Sequence, residues 1–134
     1  MSMPEQESAG VLVADGEERV LQQVSTTLEK CGFTVFTALG QSAALNFCRA
    51  RKEPVQLAII DMAMGAGDPE LIQELYRSNP NVRVLFTSSQ DESNTIPQTG
   101  PSGRFRGFLK KPFRRSKLMG SVLRAMDAPL TRTA

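Results

Sequence analysis

Polar residues with useful chemistry stand where apolar runs stop. Asp15 closes the run "GVLVAD", Asp61 closes "VQLAIID", Thr87 and Ser88 close "VRVLFTS", and Lys111 follows "RFRGFLK". A carboxylate at the end of a core segment is costly to bury unless something pairs with it. Brought together, two carboxylates, a hydroxyl and an amine suit phosphoryl transfer onto a carboxylate. An aspartate can attack phosphorus and carry an acyl phosphate. A second carboxylate helps hold Mg²⁺, which neutralises charge on the transferred group and keeps several waters. A lysine ammonium binds a phosphate oxygen as a point charge. The Thr87 hydroxyl would donate a hydrogen bond that exists only once the phosphoryl group has arrived. In this assignment Asp61 is the nucleophile, Asp15 helps hold the metal, and Lys111 pairs with Asp61.

Composition removes several other chemistries. The 134 residues contain no histidine, which excludes histidine-dependent triads, histidine metal sites and a phosphohistidine carrier role. Cys31 and Cys48 show no paired spacing and are expected as reduced thiols packed on helices. No apolar run approaches the roughly 18 residues of a membrane span. The start, "MSMPEQESAG", has neither the basic nor the apolar stretch of a secretory signal. A cytoplasmic protein with no membrane partner is the expectation.

Net charge is only +2, but residues 1–92 hold 13 of the 14 acids while residues 93–126 hold eight bases and no acid. Residues 104–117 could therefore present a basic face to an acidic partner. Direct DNA binding is not expected, because the chain has no recognition-helix module.

Elements must bring the four polar positions to one rim. Short apolar runs at 10–15, 33–38, 55–60, 82–88 and 104–109 read as strands. Between them, Val20, Val24, Leu28 and Cys31 recur at helical spacing, with Gly32 just past the end. Ala43, Ala44, Phe47 and Cys48 mark a second helix, and Leu71, Ile72 and Leu75 a third that starts near Pro69. Leu118, Val122, Leu123 and Met126 mark the last. Strands alternating with helices imply an α/β fold with a five-stranded parallel sheet and helices on both faces. Ligands then gather at the carboxyl ends of the strands, where Asp15, Asp61, Thr87 and Lys111 all fall. Residues 89–103 carry two prolines and two glycines, so a helix there is expected to be weak or missing and the segment mobile. Residues 1–9 read as a flexible lead, 10–127 as one domain and 128–134 as a tail.

These residues resemble a response-regulator receiver domain. "VLVADGEERVL" is similar to that family's opening strand and acidic pair, and "AIIDMAM" to its phosphorylation strand. "VLFTSS" is similar to its switch-threonine strand, and "GFLKKPF" to its lysine–proline motif. The resemblance implies a flavodoxin-like sheet in the order 2-1-3-4-5. It makes Asp61 the phosphoacceptor, Asp15 the first metal-binding acid and Thr87 the switch hydroxyl. Lys111 becomes the conserved lysine and Phe108 the aromatic switch residue. The Ala63 backbone carbonyl would be a further Mg²⁺ ligand, and the bond before Pro112 would be cis.

One departure stands out. The second acid of the pair is replaced by Gly16, and Glu17 is expected to point elsewhere as the helix begins. Weak Mg²⁺ binding follows. The resemblance implies a signalling phosphoacceptor, not an enzyme in its own right, that takes its phosphoryl group from a histidine kinase or phosphotransfer protein. A weak fourth helix followed by "FLKKPF" resembles receivers at the C-terminal end of hybrid sensor kinases. The alternative is a pseudo-receiver that binds partners independently of phosphate. A flavodoxin would want a phosphate-binding loop where "DGEER" stands. An aspartyl phosphatase of the haloacid dehalogenase kind would want an acid at Ala63.

Overall fold

The computed structural model describes residues 9–50, 53–65, 69–89 and 105–127. Its strands are β1 (Gly10–Asp15), β2 (Thr34–Leu39), β3 (Leu57–Asp61), β4 (Arg83–Ser88) and β5 (Phe105–Lys110). Its helices are α1 (Glu18–Lys30), α2 (Gln41–Ala50), α3 (Met62–Gly65), α4 (Pro69–Ser78) and α5 (Arg115–Asp127). All strand pairs are parallel, in the order β2-β1-β3-β4-β5. The lead 1–8, the segment 90–104 expected to carry the weak fourth helix, and the tail 128–134 lie outside the described residues.

Alternation along the strands sorts the core into two layers. Val11, Val13, Leu57, Ile59, Leu85 and Leu109 face one way and meet Leu21, Val24 and Leu28 of α1 with Leu118, Val122 and Ala125 of α5. Leu12, Ala14, Ala58, Ile60, Val84 and Phe86 face the other way and meet Ala44 and Cys48 of α2 with Leu71, Ile72 and Leu75 of α4. Helices on both faces explain why β1 and β3 are apolar at nearly every position. Side chains on a strand alternate with period two. Asp15, Asp61 and Thr87 therefore share the parity of Val13, Ile59 and Leu85 and end on the α1/α5 side.

Lys111 reaches that same side because of an irregularity. Val84 pairs with Phe105 but Leu85 pairs with Gly107, which leaves Arg106 as an extra residue in β5. A one-residue insertion flips every later side chain to the opposite face. Phe108 then lies beside Phe86, on the α2/α4 side, and Leu109 beside Thr87, on the α1/α5 side. Gly107 has φ +151°, a conformation that L side chains rarely adopt.

Several expectations need adjustment. β3 starts at Leu57 and not at Val55, whose N–H donates to Asn79 Oδ1 at 2.9 Å instead of joining a strand ladder. β2 and β5 each run one residue later than their apolar runs. The single-turn α3 was not foreseen, since a four-residue element has no period to read. Leu123 is 53% exposed: Leu118, Val122 and Ala125 form the stripe that meets the sheet, and Leu123 falls off it. Cys31 is exposed just beyond α1, while Cys48 is buried; both are free thiols. Gly32 does follow the α1 end, with φ +96°, and Phe33 N–H reaches back to Leu28 O at 3.2 Å.

Candidate functional site

Strand register sets the spacing of the rim. Ala14 pairs with Ile60, so Asp15 and Asp61 leave neighbouring strands side by side; Asp61 itself pairs with Thr87, and Thr87 with Leu109. Adjacent strands lie about 4.8 Å apart, which brings the two carboxylates and the hydroxyl within reach of one small group. Lys111 enters from the end of β5, where its N–H donates to Ser88 O at 2.7 Å. The Lys111–Pro112 bond is cis.

The ammonium is the hub. Lys111 Nζ donates to Asp15 Oδ2 at 2.9 Å and lies 3.6 Å from Asp61 Oδ2. Asp15 is 2% exposed, and its other oxygen, Oδ1, accepts the Glu17 N–H at 2.9 Å. A buried carboxylate is tolerated when it is paired and hydrogen-bonded in this way. The Lys111 and Asp61 side chains are 14% and 15% exposed, so Asp61 keeps a face open to an incoming group. Burial alone would lower the Lys111 pKa. The Asp15 hydrogen bond and the charges of Asp15, Asp61 and Glu17 outweigh it and hold the ammonium above its ordinary value.

Thr87 is 2% exposed and stands opposite Asp61 on the neighbouring strand. A hydroxyl in that place can donate a hydrogen bond to a group that arrives on Asp61. Ala63 meets Asp61 through its N–H, 3.3 Å from Oδ1. Phe108 is half-buried against the α2/α4 core, outside this cluster. Gly16 is exposed, and a Cβ built there would meet nothing within 4 Å.

With Arg19, Val20, Ser89, Lys111 and Phe113, Glu17 lines a cleft of about 470 Å³ that opens beside the rim. Its dual position, N–H on Asp15 and charge near Lys111, was legible only as an aspartate two residues ahead of it, the spacing of an Asx-turn. Arg19 was not singled out by any motif.

The donors suit a hard cation. Mg²⁺ is held by one or two carboxylates while waters complete its shell, and Asp15 and Asp61 supply two. Among the described residues no group of three or more acidic, histidine or cysteine side chains forms a fuller cage. No described helix is long and apolar enough to cross a membrane.

A sheet in this order, with two acids, a hydroxyl and a lysine at its carboxyl rim, defines a phosphoryl-accepting signalling fold. The chain belongs to the response regulator receiver domain family, whose profile matches residues 11–123. Phosphoryl transfer in two-component systems is the general function of that family. The chain is 28% identical over 121 residues to sensor kinase CckA of Brucella abortus, across 90% of the chain and 13% of the relative. It is 29% identical over 107 residues to response regulator GtcR of Aneurinibacillus migulanus, across 79% of the chain and 43% of the relative. It therefore spans less than half the length of either. A response regulator structure from Thermotoga maritima superposes with TM-score 0.74 at 25% identity, over 90% of this chain and 99% of that one.

Proposed function

We propose that Asp61 accepts a phosphoryl group from a phosphohistidine on a histidine kinase or phosphotransfer protein. An Asp61 oxygen attacks phosphorus and the P–N bond breaks. The imidazole leaves with the bonding pair and takes a proton from solvent. Lys111 binds a phosphoryl oxygen, and Thr87 donates its hydroxyl to another, so that arrival of the group is felt inside β4. A bound Mg²⁺, held by Asp15, Asp61 and the Ala63 carbonyl, would neutralise charge on the transferred group. Because Gly16 supplies no side-chain oxygen, that cation is held weakly before phosphate arrives. Phe108 is the aromatic expected to respond. The observation that carries this reading is the convergence of Lys111 on both carboxylates, with Thr87 paired to Asp61 on the next strand.

The donor or output partner is proposed to be acidic where it meets the β5–α5 corner. Phe108, Pro112 and Phe113 floor a cleft of about 560 Å³ there, with Lys110, Arg114 and Lys117 around it. Binding that is unchanged by salt or by reversing the charge of Arg114 and Lys117 would exclude this contact. Gly16 favours a second reading, a pseudo-receiver that binds partners without phosphorylation.

Intact-mass measurement after incubation with a small phosphodonor or a phosphohistidine donor, with and without Mg²⁺, separates the two. Wild type should be labelled slowly, Gly16→Asp faster, and Asp61→Asn not at all. A wild type that stays unlabelled throughout while Gly16→Asp is labelled supports the pseudo-receiver.

A further inference from the structure

We propose that the outer edge of β2 is a self-association surface: two copies of this chain pair their β2 strands antiparallel about Thr37 and join their sheets into one.

The sheet ends on β2 and β5, and its two edges are built differently. An open edge presents unpaired N–H and C=O groups to any other strand, and proteins blunt such edges with charges, prolines or bulges. β5, "FRGFLK", contains Arg106 and Lys110 and shifts its register against β4. β2, "TVFTAL", has no charge and no proline, and it pairs with β1 over its whole length without a shift. Nothing in β2 discourages another strand.

The bonds to β1 show which main-chain groups of β2 face outward. Thr34 N–H donates to Ala9 O and Gly40 N–H donates to Asp15 O, each at 3.0 Å. Successive residues of a strand turn their N–H and C=O groups to opposite sides. Thr34, Phe36 and Ala38 therefore face β1, while Val35, Thr37 and Leu39 face outward, and no described strand lies beyond them. Phe33 does not lengthen this row, because its N–H donates to Leu28 O at 3.2 Å. The row is centred on Thr37.

That centre makes a second copy the occupant. With Thr37 opposite its own equivalent, Val35 stands opposite the partner's Leu39, and each outward residue exchanges both main-chain hydrogen bonds with the one it faces. The two-fold axis runs through the sheet, so each face continues into the same face of the other copy. Leu39 is 53% exposed, and with Leu21, Gln22 and Thr37 it lines a cleft of about 280 Å³ beside the edge. Val35 lies on that same α1/α5 side. The pairing gives Leu39 an apolar neighbour in both copies and sets threonine against threonine at the centre, pairs that stabilise sheets. Within the strands no like charges come opposite one another. The contact is isologous, so it closes at two copies, with the blunted β5 edges outermost.

The test is sedimentation equilibrium of the whole chain from about 10 µM to about 1 mM, with amide hydrogen exchange followed by NMR on the same samples. Wild type should pass from monomer to dimer across that range. The amides of Val35, Thr37 and Leu39 should gain protection as concentration rises, whereas those of Phe36 and Ala38, already turned to β1, should not change. Thr37→Lys sets two ammonium groups face to face, and Leu39→Lys removes the apolar contact in both copies. Each should weaken dimerisation at least about tenfold. Leu123→Lys, at the other 53% exposed leucine, should leave it unchanged.

A wild type that stays monomeric at about 1 mM overturns the proposal and leaves the edge to a strand of another protein. A dimer that Leu123→Lys disrupts overturns it as well, as does one that forms without protecting the outward amides of β2. The wild-type exchange pattern decides the matter even if both β2 variants fail to fold.

Discussion

The two faces of the sheet use similar apolar side chains and finish differently at the carboxyl rim. On the α2/α4 side, Val84 and Phe86 lead to Phe108 and Met62, and the only β4 polar side chain of that parity at the rim is the small hydroxyl of buried Ser88. On the α1/α5 side, Val13, Ile59, Leu85 and Leu109 lead to Asp15, Asp61, Thr87 and Lys111. Parity alone keeps the layers apart, so every polar group of the site emerges on one side. One face can then hold the domain together while the rim of the other carries costly buried polar groups for chemistry. Phe108 packs on the opposite face from Thr87, against the α2/α4 core.

The largest expected effect falls on the face without chemistry. Phe86 is fully buried, and Phe86→Ala should cost about 3–5 kcal/mol of unfolding free energy by urea denaturation. Phosphoacceptance by the remaining folded fraction should be unchanged. Loss of labelling in protein that is still folded would show that the faces are not separable in this way.

Next comes the site itself. Asp15→Asn removes the charge-assisted hydrogen bond to Lys111 and should cost about 1.5–3 kcal/mol. A lysine whose folded pKa is raised contributes stability that is fully present below its unfolded value and lost as pH rises through the folded one. Wild-type stability should therefore fall as pH rises above the ordinary lysine value of 10.5. Asp15→Asn should flatten that alkaline decline. An unchanged slope would mean that Asp15 does not hold the ammonium.

Smaller still is the bulge. Gly107 combines φ +151° with a Cβ position 3.3 Å from Leu85 Cδ1. Gly107→Ala should cost about 1–3 kcal/mol and loosen Lys111 from Asp15, visible as faster exchange of the lysine ammonium protons. Destabilisation without any change at Lys111 would make the bulge purely structural.

Much of this was legible beforehand. The order of strands and helices followed from alternating apolar runs, and Asp15, Asp61, Thr87 and Lys111 stood out because each ends such a run. That Lys111 joins the side of the other three was not legible, because it depends on the extra residue at Arg106, and nothing in "RFRGFLK" announces a bulge. The preference of Lys111 for Asp15 over Asp61 was likewise hidden, since it turns on a few tenths of an ångström among three side chains. Leu123 and Cys31 were misplaced for one reason. Helical spacing tells which residues share a stripe, but not where the stripe stops meeting the sheet.

The central claim is that Asp61 carries the phosphoryl group. Treating the protein with a cognate phosphohistidine donor and then with borohydride reduces an aspartyl phosphate to homoserine, which peptide mass spectrometry locates. The account predicts homoserine at position 61 alone. Homoserine at position 15 instead, or none although the donor has lost its phosphate to this protein, would contradict it.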